Sequence, residues 1–196
     1  SKVLGKKYVE AALNNRNDFN GGLQDLLNEY CWGAGWGGTA LTLKERSLLN
    51  LLSRVTVPDR GSVGSSFTLE GGSKNILIRA VGPSSTGVTG VLTDPRLALI
   101  NASFLPAAAN DDWGTPQTVA GGPAPGNASA ISAAIASVAA APGFTAGSKD
   151  AALLVTLTAG TYTAVLDGVG GAGGVAQLEI VDADTGIWPR VAMLTM

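Results

Sequence analysis

The sequence predicts a mainly β protein, a jelly-roll-like β-sandwich of about eight strands preceded by a short helical segment. From residue 51 onward, short segments rich in Val, Ile, Leu and Thr recur. Most alternate apolar with small or polar residues, which is typical of half-buried strands. Glycine-rich connectors at hairpin spacing separate several of them. We therefore divide the chain into a helical segment, 1–48, and a sandwich module, 49–196.

The composition excludes several classes of function. Hydrophobic residues make up 45% of the chain and charged residues 14%, which describes a chain that folds around a core. Its net charge of −2 comes without a basic cluster, so we expect no nucleic-acid partner. No apolar run reaches the roughly 18 residues of a membrane span. The single cysteine rules out a disulfide framework within the chain.

Three helices are predicted in the first fifty residues. Segment 6–14 carries a short apolar stripe, and a second helix begins at Asn17 or Asp18. A third helix has Thr42 as its N-cap and Glu45 three residues later, the pattern of a capping box. The apolar face of the second helix consists of Phe19, Leu23, Leu26, Leu27 and Tyr30.

The strands are predicted from alternation and from the turn residues that bound them. Between the fourth and fifth strands, the segment 102–147 is less regular and contains one Ala-rich helix, 129–140, capped by Asn127 or Ser129. Arg79, within an apolar strand, is expected to pair with a carboxylate such as that of Asp94. The predicted strands are 51–57, 65–69, 75–81, 96–101, 151–157, 161–166, 175–181 and 191–195.

Residues 5–51 resemble the N-terminal part of 4-carboxymuconolactone decarboxylase, in the AhpD-like superfamily. The motifs are Glu-Tyr-Cys-Trp-Gly at 29–33, Trp-Gly at 36–37 and Arg-Ser-Leu-Leu-Asn-Leu at 46–51. The resemblance implies an all-α oligomer with lactone decarboxylase or thiol redox activity. It also implies a following helix that carries a histidine and acidic residues.

The sequence departs from that pattern at residue 52. A β-branched alternation replaces the continuing helix, and the chain has no histidine to act as a general acid or base. Cys31 has no second cysteine at Cys-x-x-Cys spacing, so it is a weak catalytic candidate and is interpreted as a buried core residue. Tyr30, Trp32 and Trp36 are interpreted as packing or interface anchors.

Residues 53–196 are similar to a β-sandwich module that is repeated in large exported bacterial proteins. The segments that carry this resemblance are 75–83, 87–88, 91–97, 110–113, 162–165, 168–170 and 174–176. It implies an architectural role as a surface, stalk or filament unit. The final strand, with Val191 and Leu194, is expected to pair within its own sheet or to add to the edge of a neighbour.

Two pairs of carboxylates are weak calcium candidates. Asp111 and Asp112 form the densest acidic cluster, and the alternative is a turn in which their side chains bind the loop backbone. Asp182 and Asp184 match the first acidic positions of a calcium loop without its later acidic residue. No other metal or cofactor is expected.

These observations favour a non-catalytic structural module of an exported bacterial surface, stalk or filament protein that self-associates. An extracellular or cell-surface location follows from a composition rich in Gly, Ala, Thr, Val and Ser. The alternatives are a decarboxylase-like enzyme, inactive without its second half and cytoplasmic, and a calcium- or carbohydrate-binding β-module. The meeting of two patterns at 49–53 also indicates a chimeric chain that joins two unrelated genes.

Overall fold

The computed structural model describes residues 51–138, 143–184 and 190–195, and the side chains of 53–138 and 143–184. The helices predicted within 1–48 lie outside these residues.

The described part contains nine β-strands, one α-helix, α1 (Ala128–Ser137), and a 3-10 turn, Val169–Gly171. None of its helices has the length and apolar character needed to span a bilayer. The strands are β1 (Leu51–Val57), β2 (Ser62–Glu70), β3 (Lys74–Val81), β4 (Pro95–Asn101), β5 (Pro106–Asn110), β6 (Ala151–Leu157), β7 (Gly160–Gly168), β8 (Gly174–Asp182) and β9 (Arg190–Thr195).

The strands form two antiparallel sheets with a nested order. One sheet has the order β1-β8-β3-β6 and the other the order β5-β4-β7-β2-β9. Strand β1 pairs with β8, β2 with β7, β3 with β6 and β4 with β5, and these pairs alternate between the two sheets. This arrangement is a jelly roll of eight strands. The predicted fold class of the β region is confirmed.

Strand β9 is an addition to the jelly roll. It pairs antiparallel with the outer edge of β2, with a register shift between Thr68 and Leu69. The backbone of β9 is therefore the fifth strand of this sheet. Of the two alternatives expected for the final strand, this is pairing within its own sheet.

The main core lies between the two sheets. Alternation predicts which side chains face it, and β2 and β7 keep that alternation through most of their length. Its largest members include Phe67, which stacks on Tyr162 with ring centroids 5.8 Å apart. Others are Val57, Leu69, Ile76, Ile78, Leu92, Leu97, Leu99, Leu153, Val155, Leu166, Leu178 and Ile180.

A second apolar cluster covers the outer face of the four-stranded sheet. Helix α1 places Ile131 and Ile135 against Leu77 of β3 and Val181 of β8. The Asn127 side chain caps the helix by accepting a hydrogen bond from the Ala130 N–H, which confirms the predicted cap. Strand β3 is consequently buried on both faces along most of its length.

Strand β5 was not predicted from the sequence. Its Pro-Ala-Ala-Ala-Asn sequence has no β-branched or aromatic residue and no contrast between large apolar and polar positions. The strand forms because it pairs with the edge of β4, with Asn110 of β5 opposite Leu97 of β4. Tertiary pairing outweighs local propensity here.

Gly82 lies where two segments of the backbone approach closely. A Cβ atom at this position would lie 2.2 Å from the Leu92 carbonyl oxygen and 3.2 Å from the Pro95 ring. Glycine allows the chain leaving β3 to pass directly against the segment that enters β4.

Alanine substitutions of two leucines test whether the inner face of β4 belongs to the core. Leu99 is completely buried in β4, whereas Leu105 in the following turn is 60% exposed. Leu99→Ala is expected to lower the free energy of unfolding by about 2–5 kcal/mol through lost burial and a residual cavity. Leu105→Ala, the matched control, is expected to change it by less than about 0.5 kcal/mol. Guanidinium unfolding measures both, and equal losses would contradict the inner-face assignment of β4.

Candidate functional site

The predicted site residues fall into three groups. Tyr30, Cys31, Trp32 and Trp36 lie outside the described residues. Val191 and Leu194 belong to β9, for which the backbone alone is described. The four carboxylates lie at opposite ends of the sandwich, because Asp111 and Asp112 follow β5 whereas Asp182 and Asp184 are near the start of β3.

The first carboxylate pair is occupied by protein donors. The Lys149 ammonium lies 3.1 Å from both carboxylate oxygens of Asp112, and the Gln117 amide donates to Asp111. Asp112 raises the pKa of Lys149 through this hydrogen bond and through its charge. The Asn110 amide donates to the carbonyls of Asp112 and Thr115, which holds the loop as a turn.

The second pair is also hydrogen-bonded within the chain. Asp182 lies 2.9 Å from the Lys74 ammonium and accepts a hydrogen bond from the Asp184 N–H. The Asp184 carboxylate accepts from the backbone and the side-chain amide of Asn75. Within the described residues, no three His, Cys, Asp or Glu side chains are grouped so that they could share a metal ion.

Asp150 is the centre of a buried hydrogen-bond network that sequence reasoning missed. It is fully buried and immediately precedes β6. Its carboxylate accepts from the backbone N–H groups of Gly82 and Ser84 and from the hydroxyls of Ser84 and Ser148. The network fastens the β3–β4 loop to the segment that precedes β6.

Arg79 forms a buried ion pair beside this network. The expected ion pair of Arg79 with a carboxylate is confirmed, because its guanidinium lies 3.0 Å from Glu179, its register partner on β8. The suggested partner Asp94 was wrong. The guanidinium also lies 4.6 Å from the centroid of the Phe144 ring, which contacts Trp113. Burial lowers the pKa of Arg79, while the charges of Glu179 and Asp150 raise it.

A shallow surface depression lies next to Trp113. It is lined by residues 112–115 and 147–149, with the Lys149–Asp112 ion pair at its rim. Both charged groups are partly exposed and already paired.

The β4–β5 turn presents two apolar side chains to solvent. Phe104 is 83% exposed and Leu105 is 60% exposed. Phe104 has φ of 59°, in the left-handed region that favours glycine. The turn is fixed by the Asn101 side chain, which accepts from the N–H groups of Ser103 and Leu105. We call Phe104 and Leu105 the apolar tip.

The two lateral sides of the sandwich differ in how their strand edges end. On one side, the Gly126 N–H donates to Leu154 of β6, and Asn110 accepts from the Ala152 N–H. A bridge from Ala109 to Gln117 covers the edge of β5. On the other side, no strand of the described residues pairs with the outer edges of β1 or β9.

Comparison with known proteins gives two partial matches. The chain is 47% identical over 49 residues to nitrosuccinic acid decarboxylase of Metarhizium robertsii, and 37% identical over 51 residues to 4-carboxymuconolactone decarboxylase of Acinetobacter baylyi. These matches cover 25% and 26% of the chain, and 34% and 38% of the two relatives. The chain thus spans little more than a third of either relative. No family model matches the sequence. The matches support the decarboxylase-like resemblance and leave the function of the sandwich open.

The buried network predicts unequal effects for two aspartates. Asp150→Ala removes the acceptor from two backbone donors and two hydroxyls, so the free energy of unfolding is expected to fall by about 3 kcal/mol or more. Asp112→Ala breaks a partly exposed ion pair and is expected to lower it by less than about 1 kcal/mol. Chemical denaturation compares the two variants. Similar losses would show that Asp150 does not hold the loops.

Proposed function

We propose that the sandwich is a non-catalytic structural module that works by assembly in an exported bacterial surface, stalk or filament protein. The observation that carries this proposal is the apolar tip. A bulky aromatic residue occupies a left-handed backbone position while most of its surface stays in water.

The residue type at position 104 does not maximise the stability of the monomer. The left-handed conformation costs an L-residue about 1–2 kcal/mol, and glycine adopts it freely. Packing of an 83% exposed ring offsets little of that strain within the monomer. Contact with another subunit would bury Phe104 and Leu105 and supply the missing stabilisation.

The strand edges support the same role. Unpaired N–H and C=O groups along the edge of a sheet are a template for another strand. Other segments cover the edges of β5 and β6, whereas no strand among the described residues covers the edges of β1 and β9. Self-association therefore has two candidate surfaces, the apolar tip and this edge. The Gly-, Ala-, Thr- and Ser-rich composition supports placing the module outside the cell.

Phe104→Gly separates assembly from folding. The substitution removes the exposed ring and the backbone strain together. We expect the free energy of unfolding to stay equal or to rise by up to about 1 kcal/mol. Self-association, measured by sedimentation velocity over a concentration series and by electron microscopy, is expected to weaken at least about tenfold, or by about 1.4 kcal/mol.

Val169→Ala is the control for that experiment, because Val169 is an exposed apolar residue at the opposite end of the sandwich. It should leave assembly unchanged. A wild-type protein that remains monomeric at every concentration, or a Phe104→Gly variant that assembles as well as the wild type, would contradict a role for the apolar tip.

The second candidate function is decarboxylation, and the two partial matches favour it. The substrates named by these relatives are nitrosuccinic acid and 4-carboxymuconolactone. The proposal that the chain lacks this activity rests on its lack of histidine and on the short span of the resemblance.

Activity assays on the full chain decide between the two candidates. We expect no carbon dioxide release above buffer from either 4-carboxymuconolactone or nitrosuccinic acid. An active 4-carboxymuconolactone decarboxylase serves as the positive control. Turnover that Cys31→Ala abolishes would establish the enzyme and overturn the structural assignment.

A further inference from the structure

Lys74 and Asp182 form an ion pair in an unusual place. Lys74 shares the inward-facing parity of Ile76 and Ile78, and Asp182 that of Leu178 and Ile180. Both side chains therefore point between the sheets. The lysine side chain is completely buried and the aspartate side chain is 11% exposed, with Nζ 2.9 Å from Oδ2.

We propose that these two side chains condense to an intramolecular amide that links β3 covalently to β8. The Lys74 ammonium first gives one proton to Asp182 Oδ2, which leaves a neutral amine and a neutral carboxylic acid. The amine nitrogen then attacks Cγ and forms the N–C bond. The Cγ–Oδ2 bond breaks, Oδ2 takes a second proton from the nitrogen, and one water molecule leaves. No oxidant or further reactant is needed.

The local geometry favours each part of this reaction. The completely buried Lys74 side chain holds the reacting groups away from most of the solvent. The two strands hold Nζ and Oδ2 in contact, which replaces a bimolecular encounter by a positioned one. The low exposure of the pair also keeps bulk water, the reactant of the reverse hydrolysis, away from the bond.

A backbone donor is placed where negative charge develops. The Asp184 N–H donates to Asp182 Oδ1 at 2.9 Å, and Oδ1 is the oxygen that becomes an oxyanion when the amine attacks. Asp184 is itself fixed, since its carboxylate binds the backbone N–H and the side-chain amide of Asn75 at 2.9 and 2.7 Å. The donor is thus held by β3, the strand that carries the nucleophile.

Intact-mass measurement of the denatured full chain tests the proposal. We expect the wild-type mass to lie one water molecule below the mass of the sequence. Digestion should then yield a branched peptide that joins the segments around Lys74 and Asp182. Lys74→Arg and Asp182→Ala should each restore the full mass of the altered sequence.

Lys149 and Asp112 provide a matched control, because they form an ion pair of similar length at an exposed position. Lys149→Arg and Asp112→Ala should both retain the mass deficit. The wild-type measurement does not depend on whether any variant folds, on self-association or on turnover, so the outcome is independent of the proposed function.

Two results would overturn the proposal. A wild-type mass equal to that of the sequence would show that Lys74 and Asp182 form an ion pair and nothing more. A deficit of one water without the branched peptide would assign the loss to another reaction, such as cyclisation at Asp167–Gly168, and would equally exclude the amide.

Discussion

The structure depends on how β3 is buried on both of its faces. Its inward side chains fill the space between the sheets, while its outward face carries Leu77 and Arg79 beneath α1 and Phe144. A buried guanidinium requires negative partners, and Glu179 and Asp150 meet that requirement. Asp150 in turn fixes the backbone at Gly82 and Ser84. The buried charge of Arg79 therefore lies among Glu179, Phe144 and the Asp150 network that holds the β3–β4 loop.

The sequence predicts the strands well where large apolar residues alternate with small ones, as in β2 and β7. It fails for β5, whose alanines carry no such signal, and for the partner of Arg79, because cross-strand pairing depends on register between β3 and β8. Composition could not indicate the left-handed φ of Phe104 either. That angle results from the hydrogen bonds that Asn101 makes within the turn. The predictable part of this fold is the alternating strands, whereas the pairing of β5 and the partner of Arg79 depend on how distant segments meet.

The two resemblances have different physical content. Activity in an enzyme depends on side chains from several elements held in fixed geometry. A match over 25% of the chain therefore indicates a similar segment, but it does not establish an active site. An architectural module depends on a closed core and on its surfaces. The described side chains of 53–138 and 143–184 supply such a core, and the ion pair of Arg79 and the hydrogen bonds of Asp150 connect its segments. Because of this difference, the proposed non-catalytic role of the sandwich is compatible with the decarboxylase-like matches.

The position of the Lys74–Asp182 pair links the two proposals. Register places the apolar tip at the end of the sandwich where β2 ends, and Lys74 begins β3 at that same end. Asp182 is the last residue of β8, and the chain continues from it toward β9. Tension entering through β9 would reach β8 at Asp182 and peel it from β3, breaking hydrogen bonds one after another. A bond from Lys74 to Asp182 would stop that separation at its first step, because strand peeling cannot begin while the terminal residues stay joined.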